Sequence, residues 1–119
     1  MKLKLNNLSI GIASDHGALN LKQTIIDHLK NKADLYSAID LGAHSNESVD
    51  YPDYAQIVSD KILDKTLDLG ILCCGTGIGM SIKANRNKGI RAALVFSSFT
   101  AQMAKEHNNP NVLCLGERT

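Results

Sequence analysis

A cysteine followed at once by a glycine-rich stretch, Cys74-Gly75-Thr76-Gly77-Ile78-Gly79, is the part of this sequence best equipped for chemistry. A thiolate can act as nucleophile or base. Glycine at 75, 77 and 79 lets the backbone approach a ligand closely and aim N–H groups at it, and a helix that begins nearby adds the positive end of its dipole. The stretch therefore suits an anion. Glycine turns between strand and helix are also ordinary construction in α/β proteins, so its spacing alone leaves a purely structural turn open.

Other reactive types fall at similar places along the chain. Asp15 and His16 follow an apolar run, Tyr51 opens a helical stretch, His107 and Asn108 close one, and Glu117 with Arg118 follow the last apolar run. Each has a plainer reading: Asp15 can cap the next helix, His16 can be a loop residue bonded to backbone, and Tyr51 can be a packing residue at a helix start. Cys73 and Cys74 point to opposite faces if both are in a strand, so at least one belongs to the core, and Cys114 is assigned to the core outright. No metal and no cofactor are expected. Adjacent cysteines lack the two-residue gap of a zinc knuckle, and no histidine-rich motif accompanies them. A Cys-x5-Arg phosphatase is excluded because the sixth residue after Cys74 is Met80.

These residues need elements to hold them, and the hydrophobic pattern supplies nine. Leu8–Ala13, Leu35–Leu41, Leu69–Cys73, Ile90–Phe96 and Val112–Leu115 read as strands. The run at Leu69 does not alternate, as expected of a central parallel strand covered on both faces. Between the strands lie helical patterns: Ala18–Lys30 with Leu21, Ile25, Ile26 and Leu29 inward and His28 solvated; about Asp50 to Lys65 with Ala55, Val58 and Ile62 inward; a short one through Met80, Ile82 and Ala84; and one from a Ser97 or Ser98 cap to His107. Gly42–Val49 reads as polar loop. The alternation predicts an α/β fold, a Rossmann-like three-layer sandwich with a five-stranded parallel sheet. Ligands of such sheets bind at the carboxyl ends of the strands, where Asp15, His16, Cys74–Gly79 and Arg118 fall. His107 and Asn108 precede the fifth strand and should lie at the opposite edge, unless they serve a neighbouring subunit's site. The fifth strand is expected to have a flank that needs cover from a partner or from a further segment.

Bulk properties narrow the function classes. At 119 residues the sequence reads as one domain spanning 1–119. Thirteen Lys and Arg against twelve Asp and Glu give no basic excess for nucleic acid or an anionic membrane, so any phosphate site must be local. No apolar run approaches the length of a membrane span, and Met1–Asn7 is too polar for a signal peptide, so a cytoplasmic location is expected. Three cysteines, two of them adjacent, do not make a disulfide framework.

Taken together, Ser14-Asp15-His16-Gly17, Val49-Asp50-Tyr51-Pro52, Cys74–Gly79, Gly89-Ile90-Arg91-Ala92 and His107-Asn108-Asn109 resemble, in colinear order, the type B ribose-5-phosphate isomerases, whose family also contains galactose-6-phosphate and allose-6-phosphate isomerases. The resemblance implies a metal-independent aldose–ketose isomerase of the pentose phosphate pathway, acting on a small sugar phosphate. It implies that Cys74 moves the proton between C1 and C2, that the N–H groups of Gly75, Gly77, Ile78 and Gly79 with Thr76 hold the enediolate oxygen, and that His107 helps to open the furanose ring. Asp15, Tyr51 and Asn108 match sugar-contacting positions, and His16 and Arg118 match positions near the phosphate. It also implies a homodimer with sites shared between subunits, and a final C-terminal helix that these 119 residues do not include.

Three rival readings stand beside it. One is a non-catalytic sugar-phosphate or nucleotide-binding module of the same architecture, and another is an isomerase of a six-carbon sugar phosphate. The third, a flavodoxin-like nucleotide domain, needs a phosphate loop after the first strand, where Asp15 supplies an acid instead.

Overall fold

The computed structural model describes residues 7–45, 47 and 50–119; the expectations for 1–6, and for Val49 in the loop and in the Val49–Pro52 motif, lie outside them. The described chain alternates strand and helix: β1 (Leu8–Ser14), α1 (Leu19–Lys30), β2 (Tyr36–Asp40), α2 (Tyr51–Leu63), β3 (Leu69–Cys74), α3 (Ile78–Asn85), β4 (Ala92–Leu94), α4 (Ser98–Asn108) and β5 (Val112–Gly116). A single 3-10 turn, His16–Ala18, leads into α1. All strand pairs are parallel, and the sheet order is β2-β1-β3-β5-β4. The α/β architecture read from the sequence is therefore the one observed.

Two apolar clusters follow from strand alternation. Ile10 and Ile12 of β1 face α1 and pack with Ile26 and Leu29. Ala13, Leu72, Cys74, Val112 and Cys114 point to the other side, where Ala55 and Val58 of α2 and Met80 and Ala84 of α3 complete a larger core. Gly70 is small because Val58 Cγ1 lies only 2.4 Å from where its Cβ would sit, so α2 rides directly on β3.

Four expectations are corrected. β5 is not the exposed strand; it runs between β3 and β4, and the three-residue β4 forms the edge on that side, opposite β2. β4 is shorter than Ile90–Phe96 because an edge strand has one neighbour, and the ladder to β5 runs only from Ala92 to Leu94. β3 is central but not covered on both faces: Leu69 and Ile71 are half-buried and, with Ile10, Pro110 and Leu113, line a hollow of about 160 Å³. In α1 the inward position is Lys22 rather than Leu21, because 22, 26 and 29 share one face.

Lys22 is 3% exposed, and its ammonium donates to Asp40 Oδ1 at 2.9 Å and to the Ala43 carbonyl. Gly42 and Ala43 in turn exchange backbone bonds with Ser14, the last residue of β1. One buried cation therefore ties α1, the end of β2 and the end of β1 together. Burial would raise the Asp40 carboxyl, but the Lys22 and Gly42 hydrogen bonds, with the Lys22 charge, outweigh it and hold the carboxyl below its usual range. A carboxyl depressed in the fold stabilises it above the unfolded value, and that contribution is lost as pH falls below about 4. Lys22→Met should cost about 1 to 3 kcal/mol, less than an orphaned fully buried charge, since the Asp40 side chain is 32% exposed and can rehydrate. Denaturant unfolding between pH 3 and 7 should show that loss together with a flatter acid limb in the variant.

Candidate active site

The site is built where β3 ends. Cys74 is the last residue of β3 and points into the α2–α3 side. The chain then turns through Gly75 and Thr76 to Gly77, which takes the left-handed conformation (φ 81°) and caps α3. Only glycine suits this position on two counts. The backbone is strained for any L side chain, and a Cβ there would lie 2.7 Å from Leu94 Cδ1 and 3.0 Å from the Leu115 carbonyl carbon. The turn so formed aims the Gly77 N–H at Cys74 Sγ, 3.1 Å away. The sulfur thus accepts a backbone hydrogen bond at the first turn of α3. The Thr76 hydroxyl accepts from Ile78 N–H at 3.2 Å, which trims the entry of α3.

Neighbouring strand ends bring in further groups. Asp15 N–H donates to the Cys73 carbonyl, and the place of a Gly17 Cβ is 3.9 Å from Gly75 N, so the Asp15–Gly17 turn lies beside the cysteine loop. Asp15 Oδ1 accepts from Gly17 N–H at 2.8 Å: the acid caps its own turn, with its second oxygen outside that bond. His16 sits in the same turn and is exposed. Tyr51 opens α2, and its ring lies against Gly79, where a Cβ would come within 2.7 Å of two ring carbons. Arg118 crosses above Gly75, its Cδ, Nη1 and Nε 3.5 to 3.7 Å from the place of a Gly75 Cβ. Beside the loop a hollow of about 360 Å³ is lined by Thr76, Ile78, Leu94, Phe96 and Thr119.

Asp15, His16, Tyr51, Cys74–Gly79 and Arg118 thus share the carboxyl edge of the sheet. His107 and Asn108 do not join them. Asn108 ends α4, and its carbonyl accepts from the Arg91 guanidinium just ahead of β4, which places it at the amino edge. Cys74 pairs with Gly116 at one end of β5 while Gly70 pairs with Val112 at the other, so roughly 13 Å of strand separates the two edges.

A family model described as Ribose/Galactose Isomerase matches residues 10–119. The chain belongs to this family. A ribose-5-phosphate isomerase B of Escherichia coli K12 is 41% identical over 109 residues, covering 92% of this chain and 72% of the relative. The solved structure of Clostridium thermocellum ribose-5-phosphate isomerase B superposes with a TM-score of 0.89 at 51% identity, covering 93% of this chain and 74% of that one. A Mycoplasma genitalium ribose-5-phosphate isomerase B, solved with ribulose-5-phosphate bound, gives a TM-score of 0.86 at 49% identity, covering 93% of this chain and 73% of that one.

Within this family member two of the three thiols are held far from neutral titration. Burial, with the charges of Cys74 and Glu117 nearby, pushes the Cys73 thiol up to about 12. Burial, with Cys73 and Cys74 beside it, does the same for Cys114. Neither supplies a thiolate near neutral pH. Iodoacetamide at pH 8 should therefore add once per native chain, at Cys74 by peptide mapping, and at all three cysteines after unfolding. Labelling of native Cys73 or Cys114 would contradict this ordering.

One pair lies outside the residues singled out in the sequence, Lys22 with Asp40, and Glu117, noted there beside Arg118, bonds a partner not read from it. Lys22 lies four residues before Ile26 and seven before Leu29 on one helical face, but a lysine there reads as surface. Nothing local to Glu117 points to Leu21 N–H.

Proposed function

We propose that this chain is a metal-independent ribose-5-phosphate isomerase of the pentose phosphate pathway, a single domain over 1–119 that works in the cytoplasm as a homodimer. The observation that carries the chemistry is the 3.1 Å hydrogen bond from Gly77 N–H to Cys74 Sγ. It supports Cys74 as the base. In the open-chain sugar Cys74 takes the C2 proton of ribose 5-phosphate and returns it to C1 while the hydroxyl proton passes from O2 to O1, and the negative charge in between rests on the enediolate oxygen. N–H groups of Gly75, Gly77, Ile78 and Gly79, with the Thr76 hydroxyl, are the donors for that oxygen. Asp15, Tyr51 and Asn108 hold the sugar, and His16 and Arg118 hold the phosphate. His107 gives and takes the ring-opening proton, as suits an imidazole.

Because His107 and Cys74 lie on opposite edges, that pair can meet only across two copies of the chain. The surface supports the pairing. α4 buries none of its residues, Phe96 and Phe99 are 77% and 68% exposed, and Ile78 and Ile82 of α3 are 50% and 56% exposed. Apolar side chains of that size are normally covered by a partner.

Cys74→Ala should lower turnover of ribose 5-phosphate by about 10² to 10⁴-fold and abolish exchange of the substrate's transferred proton with solvent. Full activity in that variant would leave a binding module, and turnover of only six-carbon sugar phosphates would move the specificity. The shared site has its own test. Mixing and reassociating Cys74→Ala with His107→Ala protein creates hybrid dimers with one intact site, so about a quarter of wild-type sites should return if each site takes one residue from each copy. No recovery on mixing would place both residues in one subunit.

A further inference from the structure

α1 begins without a side-chain cap. Its N-cap residue is Ala18, and its first turn contains no acid. The first N–H groups of a helix need an acceptor from elsewhere. It comes from the far end of the chain: Glu117 Oε1 accepts from Leu21 N–H at 2.7 Å, across 96 residues of sequence. A carboxylate on the third N–H of a helix is both a cap and a counter-charge to the dipole.

Glu117 is held equally firmly on its other side. Its N–H donates to the Cys74 carbonyl at 3.0 Å, and Arg118 N–H donates to the Gly75 carbonyl at 2.9 Å. Residues 117 and 118 thus continue the β3–β5 ladder past the end of β5, with the Glu117 side chain turned to α1 and the Arg118 side chain over Gly75. Among the described residues no carboxylate pairs with Arg118. The guanidinium lies over Gly75, carried there by a backbone that is bonded to Cys74 and Gly75 and joined to α1 through the Glu117 side chain.

We propose that Glu117 is a positioning residue: by capping α1 from the end of β5 it locks the 116–118 segment across the cysteine loop and so keeps the Arg118 guanidinium aimed at the anionic end of the substrate. That Arg118 meets a sugar phosphate rests on the isomerase reading; that Glu117 orders Arg118 does not.

Four variants test it: Glu117→Ala, Glu117→Gln, Arg118→Ala and the double Glu117→Ala/Arg118→Ala. Glu117→Ala should raise KM for ribose 5-phosphate about tenfold with kcat within about twofold, the signature of lost uniform binding. Glu117→Gln keeps an amide oxygen for Leu21 N–H and should stay within about threefold of wild type. The double variant should be no worse than Arg118→Ala, because residues acting as a unit are not additive. A second readout needs no turnover. In Glu117→Ala the Leu21 amide should exchange at least about tenfold faster, and the Arg118 Nε–H should lose order by NMR relaxation. An unchanged KM in Glu117→Ala, or effects that multiply in the double variant, overturns the proposal. So do unchanged Leu21 exchange and Arg118 order, whatever the activity. A wild-type chain that turns over no sugar phosphate instead overturns the isomerase reading, and the NMR comparison then decides the role of Glu117 alone.

Discussion

Everything at the carboxyl edge depends on one backbone conformation, the left-handed Gly77. It lets the chain leave β3, double back within three residues and start α3 with its N–H on the sulfur of Cys74. The turn is confined from outside as well. Leu115 and Leu94 close on it, and a Cβ on Gly116 would fall 2.6 Å from the Thr76 carbonyl carbon. The loop is thus clamped between β3 and β5 rather than left free, which fits the proton-transfer role proposed for it: donors for such a role must already point where charge develops.

The clamp explains why the fold is arranged as it is. β3 lies between β1 and β5, so its end is flanked by the Asp15 turn on one side and the Glu117–Arg118 segment on the other. Gly79 admits the Tyr51 ring against the first turn of α3, which brings α2 into the same neighbourhood. Four segments distant in sequence meet there because parallel strands all finish at one edge. The same rule sends His107 and Asn108 to the other edge, and nothing within one chain can reverse it.

Elements and local chemistry were legible in the sequence because they have periods and signatures. The glycine spacing marked the loop, a serine at 97 or 98 marked the start of α4, where Ser97 forms a capping box with Thr100, and the apolar run at Leu69 marked the central strand. Three things were not legible, each for a physical reason. Sheet order is set by how crossovers pack, so nothing local revealed that the short β4, not β5, would be the edge. Lys22 looks like surface until its one-sided helical position is counted, and its partner Asp40 sits 18 residues away. Glu117 bonds a helix that began almost a whole chain earlier, and no periodicity spans that distance.

That long reach bears on how the molecule is made. The cysteine loop leans on Leu115 and Gly116, and α1 is capped by Glu117, so neither can be finished while the chain is still short of its sixth score of residues. Contacts of such high sequence separation form late, since loop closure must precede them. On a ribosome the first helix and the cysteine loop would remain unsupported until β5 has slid between β3 and β4. Two structures far apart in sequence are therefore completed together, by the same few residues at the end of β5.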